Sequence, residues 1–382
     1  MSLTQRTCRA ALRHSARRAF STTNVCQRQH LPAFNESSTP ELGALLDQAS
    51  KRIFAPAHLN KAQQDLVYKT KMRGRLEADP LTMSIGQQEI TLEHINRHKE
   101  VPNRWGVLKG AMAQSKTRED WENVEKLVEA FHGADMTLKS AWQEKFVRSA
   151  FDAGFGDVVL LALRSVKKSG LSLKDLYVTQ RVMWGIHENA QTGEWAEEPT
   201  AKALKYAEQV VDLMEASGHC GDDFCTVDDT RTQPFVVALP LEMAAVLALK
   251  HNNGKDVDGK VKLYAARLMH NMKHWGTPQE SYELEDFHKP PPSKNESASE
   301  TRSRKLGDAN DKISRMLPMW HALTLARKVL QLEMPLIEDA ERMSDRLEAD
   351  IEARIRMVEA NLLPTIDKEE YWSIKAWRSC VR

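Results

Sequence analysis

Cysteine is scarce, at 5 of 382 residues, and Cys8, Cys26, Cys220, Cys225 and Cys380 form no paired Cys-x-x-Cys spacing. That excludes a disulfide-stapled small scaffold and argues against a structural zinc module. Glycine (17) and proline (15) are too few for a collagen-like or low-complexity chain, and 41% apolar with 28% charged residues excludes wholly disordered classes. No uninterrupted apolar run of membrane-spanning length is present, and the mean hydropathy is −0.52. The most apolar stretch, 234–249, is broken by Pro240 and Glu242 and reads as a buried helix. Net charge is also nearly absent, with 54 basic against 53 acidic residues. Catalytic signatures are missing as well: there is no Gly-x-x-x-x-Gly-Lys-Ser/Thr phosphate loop and no Gly-x-Ser-x-Gly elbow. Gly154-Phe155-Gly156 follows a helical pattern and reads as a hairpin turn. The expectation is a protein that is not an enzyme and carries no cofactor and no metal.

What is present begins at the N-terminus. Arg6, Arg9, Arg13, Arg17 and Arg18 lie among Ser, Thr and Ala, with no acidic residue before Glu36. An Arg-rich, Ser-rich, acid-free amphipathic segment has the character of a mitochondrial transit peptide. Each positive charge gains about 2 kcal/mol per 100 mV on crossing a membrane that is negative inside. Arg18-Ala19-Phe20-Ser21 resembles a matrix-protease site, so residues 1–20 are expected to be cut off between Phe20 and Ser21, in the mitochondrial matrix. A basic nucleic-acid-binding tail is the alternative. Removal of five arginines leaves 49 basic against 53 acidic residues, a charge of −4, so composition gives no push toward nucleic acid.

From about residue 100 the apolar positions recur at i, i+3, i+4 and i+7. Trp121, Val124, Leu127, Val128 and Phe131 form one stripe; Val159, Leu160, Leu163 and Val166 the next; Tyr206, Val210, Leu213 and Met214 a third; Tyr264, Leu268, Met269 and Met272 a fourth. The helices come in pairs that align. Trp105, Trp142 and Tyr177 stand 37 and 35 residues apart, each opening a helix that is followed by a turn and a second helix. A two-helix unit at that period marks an α-solenoid, and the fold expected over 101–280 is all-α helical hairpins. A non-repetitive helical array is the alternative.

The segment 140–174, with Phe151-Asp152-Ala153-Gly154 at its turn and Leu163-Arg164-Ser165-Val166-Lys167-Lys168-Ser169-Gly170 at its exit, resembles a pentatricopeptide repeat. The resemblance covers about 103–275. It implies an RNA-facing groove read by the fifth and last residues of each unit, here Val107 with Lys139 and Glu144 with Lys174, with Thr179 next. Val107 cannot hydrogen-bond a base and Glu144 repels a phosphate backbone, so the resemblance implies the scaffold rather than base-by-base reading.

The flanks read differently. Residues 21–100 suggest a loosely structured extension with short helices over 41–54, 61–75 and 89–99. Residues 286–311, carrying His288-Lys289-Pro290-Pro291-Pro292, read as a disordered linker. Residues 312–382 suggest a C-terminal helical hairpin and an aromatic tail of Tyr371, Trp372 and Trp377. The charge-laced helix over 335–362 has a narrow apolar seam that asks for one partner helix, either its predecessor or another protein. Lys69, Lys71, Arg73 and Arg75 form a basic run suited to RNA or a partner surface, and Lys139, Lys174 and Thr179 are further contact candidates. His219, Cys220 and Cys225 form the most metal-like cluster, but without a second Cys pair an inter-helix loop accounts for them better; His94 with His98 and His270 with His274 are spaced one helical turn apart.

The expected function is a non-catalytic helical-repeat scaffold in mitochondrial gene expression, binding RNA or protein as a ribosomal subunit or an RNA-processing or translation factor. A respiratory-complex assembly factor that binds proteins only is the alternative.

Overall fold

A computed structural model describes residues 31–85, 88–221, 223–226, 229–274 and 296–381. The expected transit peptide and its Phe20/Ser21 cleavage point lie outside the described residues, as does 275–295.

The first described helices form a cap on the rest of the chain. Helix α1 (Pro40–Ala49) opens at Thr39, whose hydroxyl accepts from the Leu42 N–H, with Pro40 at the first helical position. It continues through a π-helical turn (Ser50–Phe54) into the short α2 (Ala55–Ala57). Leu42, Leu46 and Phe54 are buried, and the Phe54 ring meets Phe131 edge-on at 5.1 Å.

A small module comes next, with its own core of Leu59, Val67, Leu76, Leu81, Leu92 and Ile95. Its helices α3 (Lys61–Tyr68) and α4 (Arg73–Ala78) are separated by extended Lys69 and a 3-10 turn, so the expected helix over 61–75 is broken. A hairpin of β1 (Leu81–Ile85) and β2 (Gln88–Leu92) pairs Leu81 with Leu92 and Met83 with Ile90. The helix expected over 89–99 is therefore a strand and turns. Buried Leu92 alternates with exposed Thr91 and Glu93, a period of two that the short window concealed.

Four helical hairpins then stack. They are α5 (Arg104–Gln114) with α6 (Arg118–Gly133), α7 (Ser140–Asp152) with α8 (Gly156–Arg164) and the single turn α9 (Val166–Ser169), α10 (Leu176–Thr192) with α11 (Glu197–Met214), and α12 (Pro234–Val246) with α13 (Lys260–His274). Starts and stops are written locally. Asn103 accepts from the N–H groups of Trp105 and Gly106, Thr117 and Asp120 form a capping box, and Asp175 accepts from Tyr177 and Val178. Gly170 ends α9 at φ +67°, and a Cβ there would stand 2.5 Å from the His132 ring. The expected stripes are the buried faces: Trp121, Val124, Leu127, Val128 and Phe131 are all nearly inaccessible.

Helix α12 is apolar on all sides and, with the π-helical turn Leu247–His251, is long and apolar enough to cross a membrane by length and composition. Most of it is instead buried against α10, α11, α13 and α14, as the reading of a core helix anticipates.

The C-terminal third closes over the array. Helix α14 (Ala298–Leu330) starts with a Ser297–Glu300 capping box and lies along α12, with contacts to α10 and α13. Residues 298–311 of the expected linker are thus helical. They are held by Ala309 in the core, by Asn310 donating to the Tyr371 hydroxyl, and by Gln180 donating to the Asp311 carbonyl at 2.9 Å and the Ser314 hydroxyl at 2.7 Å. Helix α15 (Ile337–Asn361) buries Ala340, Met343, Leu347, Ile351, Ile355 and Val358 and packs on α14, so the partner of its seam is the preceding helix of this chain. Helix α16 (Trp372–Val381) docks the tail, with Trp372 against Trp184 at 5.1 Å and Trp377 against Trp320 at 4.6 Å.

Candidate interaction surface

The first helices of the hairpins, α5, α7, α10 and α12, lie side by side, and the C-terminal helices do not cover them evenly. Over α10 and α12 the face is filled. Arg181 on α10 is held by Glu144 of α7 at 2.7 Å and by Asp311 of α14 at 3.5 Å. Beneath α14, Glu242 of α12 is completely buried and accepts from His187 Nδ1 of α10 at 3.0 Å and His321 Nδ1 of α14 at 2.7 Å. Burial opposes ionisation of Glu242, but the two imidazoles outweigh it and hold the carboxyl below its ordinary range. Burial pushes His321 below its ordinary value, against the pull of the Glu242 carboxylate. Trp184, Trp195 and Trp320 wall in the imidazoles. A group so sealed cannot meet a substrate; it fixes α10, α12 and α14 to one another.

Over α5 and α7 the face is open. Trp105 and Trp142, both half-buried, stack at 4.9 Å with 24° between their planes. Exposed Arg104 opens α5 and exposed Lys139 precedes α7, which begins without a side-chain cap. One turn further along are Lys109, Lys145 and Arg148. Burial and the neighbouring charges of Arg148 and Lys109 push the Lys145 ammonium below its ordinary value. None of these five cations has an ion pair among the described residues.

Two clefts border this frame. One of about 680 Å³ between α11, α12 and α13 is lined by Val211, Met214, Val236, Val237, Pro240 and Tyr264. Its carboxylate Glu208 is bound to Lys260 and to the Tyr264 hydroxyl, each at 2.7 Å. A smaller cleft between α7 and α10 is lined by Glu144, Asp175 and Asp311 and marks the acidic end of the open face.

The residues singled out from the sequence scatter. Lys69 and Arg73 are paired with Asp65 at 2.7 Å and Glu77 at 2.8 Å, while Lys71 and Arg75 are exposed. All four sit on the small module before the hairpins, and the break at Lys69 keeps them off one continuous helix. Lys139 belongs to the open face. Lys174 is paired with Asp223 at 2.8 Å, and Thr179 is buried with its hydroxyl donating to the Leu173 carbonyl at 2.8 Å. Thr179 therefore braces the unit through the Leu173 carbonyl. His219 is buried and accepts from the Leu173 N–H at 3.1 Å through Nδ1, while Nε2 is 3.0 Å from the Leu163 carbonyl. Cys220 is buried beside the Thr230 hydroxyl and Cys225 is exposed. Both nitrogens of His219 are therefore committed to the backbone, bracing successive hairpins. His94 follows β2 outside any helix, so the expected turn-spaced pair with His98 is not formed; the His274 side chain lies outside the described ones.

The sequence as a whole matches a family described as mitochondrial ribosomal protein mS27, over residues 18–379. The chain belongs to this family. A relative, the small ribosomal subunit protein mS27 of Neurospora crassa, is 26% identical over 259 residues, 62% of this chain. The match spans 64% of that relative's length.

Membership of the mS27 family makes the chain a mitochondrial protein of a ribosomal, non-enzymatic class, as its lack of catalytic motifs anticipated. The pentatricopeptide resemblance covered about 103–275 only, whereas the mS27 match runs through the C-terminal helices that fill much of the supposed groove. Nothing in the match favours the respiratory-complex alternative. Residue-by-residue reading missed the open face because Lys109, Lys145 and Arg148 are separated by up to 39 positions. A signal was present: Lys109 and Lys145 follow Trp105 and Trp142 by about one helical turn, on the same 35-to-37-residue period.

Proposed function

We propose that this chain is a structural protein of the small subunit of the mitochondrial ribosome, working in the matrix as a helical scaffold that contacts ribosomal RNA or neighbouring ribosomal proteins. The observation that carries this reading is the family match over residues 18–379. The Arg-rich, acid-free N-terminus supports delivery to the matrix. A stacked array with a capped front and a docked C-terminal hairpin supplies a rigid body that holds its surface residues in place.

Sedimentation of detergent-lysed mitochondria through a sucrose gradient tests it. The tagged chain is expected in the fractions of the small ribosomal subunit and, with subunits joined, of the whole ribosome. Migration at the top of the gradient, or with respiratory complexes alone, would overturn the reading.

A further inference from the structure

The uncovered part of the first-helix face has a chemistry unlike the rest of the molecule. Arg104, Lys109, Lys139, Lys145 and Arg148 occur on one face without ion pairs among the described residues, whereas Lys51, Lys69, Arg73 and Arg118 each hold a carboxylate one turn away. Of these, Lys109, Lys145 and Arg148 are close enough to repel one another, which raises the free energy of the lone chain, a cost removed when polyanionic charge is brought in. Between them lie the stacked indoles of Trp105 and Trp142, half-buried and so fixed in orientation. Asp152, close enough to Arg148 and Lys145 to be influenced by both, and Glu144, already held by Arg181, limit the patch on its far side. Where α14 begins to cover the face, Asp311 neutralises the next cation in the series, Arg181.

We propose that the α5–α7 face is a binding surface for a single-stranded segment of RNA, with Arg104, Lys109, Lys139, Lys145 and Arg148 tracking the phosphates and the Trp105–Trp142 pair offering a platform on which unpaired bases stack. The proposal rests on the ribosomal reading of the chain and names the surface through which it holds RNA. Phosphate neutralisation combined with aromatic stacking is tolerant of sequence, because every base has a π-face. It needs none of the base-reading positions at Val107, Glu144 and Thr179, two of which are buried and one of which is tied to Arg181. A duplex fits less well, since its bases are already stacked. An acidic protein surface would satisfy the cations but leave the indoles without a matching partner.

The test uses the full chain and a short fluorescein-labelled single-stranded RNA of mixed sequence, with the matching duplex and polyglutamate as rival probes. The variant K109E/K145E/R148E is expected to weaken single-strand binding at least about tenfold and to lower the salt slope by about 2, since each lost phosphate contact removes about 0.7. The control K205E/K255E/K305E makes the same charge change at exposed positions elsewhere and is expected to bind within about threefold of the parent chain. W105L/W142L is expected to lose about tenfold and W105F/W142F to retain most of the affinity. Circular dichroism melts establish that each variant is folded, and the charge variants, at exposed Lys109 and Arg148 and half-buried Lys145, keep the test valid even if the tryptophan variants are not. The proposal is overturned by parental affinity in the patch variant, by equal losses in patch and control, or by tighter binding of polyglutamate or duplex than of the single strand. Gradients of the same variants separate this from the ribosomal reading. A patch variant with parental RNA affinity that still sediments with the small subunit removes this surface and leaves that reading standing, whereas absence of the parent chain from ribosomal particles removes the reading itself.

Discussion

Two carboxylates show how a single residue joins parts of the sequence that are far apart. Asp120 sits at the third position of α6, where it closes the capping box with Thr117, and it also accepts from both the N–H and the hydroxyl of Ser38. Burial opposes its ionisation, but the hydrogen bonds from Ser38, Lys116 and Thr117 hold it well below the ordinary carboxylate range. Asp120→Ala is expected to cost about 1–3 kcal/mol, because buried donors lose their acceptor. Hydrogen exchange should then quicken over residues 31–54 before the later hairpins; unchanged protection there would contradict the assigned tie. Glu242 is the second case. Glu242→Ala leaves two buried imidazoles without their acceptor and is expected to cost about 3–5 kcal/mol, measured by urea denaturation. Its site also sets a pH response. Folded His321 lies below its ordinary 6.5 and Glu242 below the usual carboxylate range, so the unfolded chain binds protons that the native chain does not. Stability is therefore expected to fall as the pH drops below about 6.5, through His321 first and through Glu242 only in the carboxylate range, and to fall no less steeply between pH 6.5 and 5.5 in Glu242→Ala, where His321 loses the carboxylate that favours its charged form. Equal stability at pH 7.5 and 5.5 in the parent chain would count against it.

At the scale of elements, packing decides what periodicity leaves open. Gly185 lies on α10 where that helix crosses α7, and a Cβ added there would stand 2.3 Å from the Phe151 ring. Gly185→Ala is expected to cost about 1–3 kcal/mol through forced separation of the two helices, with part of the loss recovered by Phe151→Leu in a double-mutant cycle. Helices with long stripes were legible because each cap and each apolar repeat is local: Asn103, Thr117 and Asp175 announce their helices and Gly154 and Gly170 their ends. The β1–β2 hairpin was not, since its five-residue strands fall within a window where periods of two and of 3.6 are hard to separate. The start of α14 was hidden for another reason. Its first turns are polar and gain their order from the Ser297 cap and from contacts with Gln180 and Tyr371, both more than 60 positions away.

Over the whole molecule, the C-terminal hairpin converts an open array into a half-closed one. The seam of α15 is buried on α14, so Leu347→Lys is expected to lower the melting temperature by several degrees and to raise the sensitivity of α14 to proteolysis. Loss of the seam without exposure of α14 would show that the hairpin is not what seals α10 and α12. The same closure explains why individual site residues were hard to pick from the chain. Lys139 belonged to the open surface, but Lys174 is paired to Asp223 and Thr179 is buried, and neither fact is visible without the partner that lies against it.

Local chemistry along the chain was enough to specify helical pairs, their caps and turns, and the apolar core helix at 234–249, because each depends on residues within one or two helical turns. Coverage was decided only by the folded chain. Which stretch of the first-helix layer lies under α14, and which keeps its cations and indoles in the open, is set by contacts between residues more than a hundred positions apart, such as Gln180 with Ser314. No periodicity encodes such a pairing; it is fixed by the burial of apolar surface across the whole array.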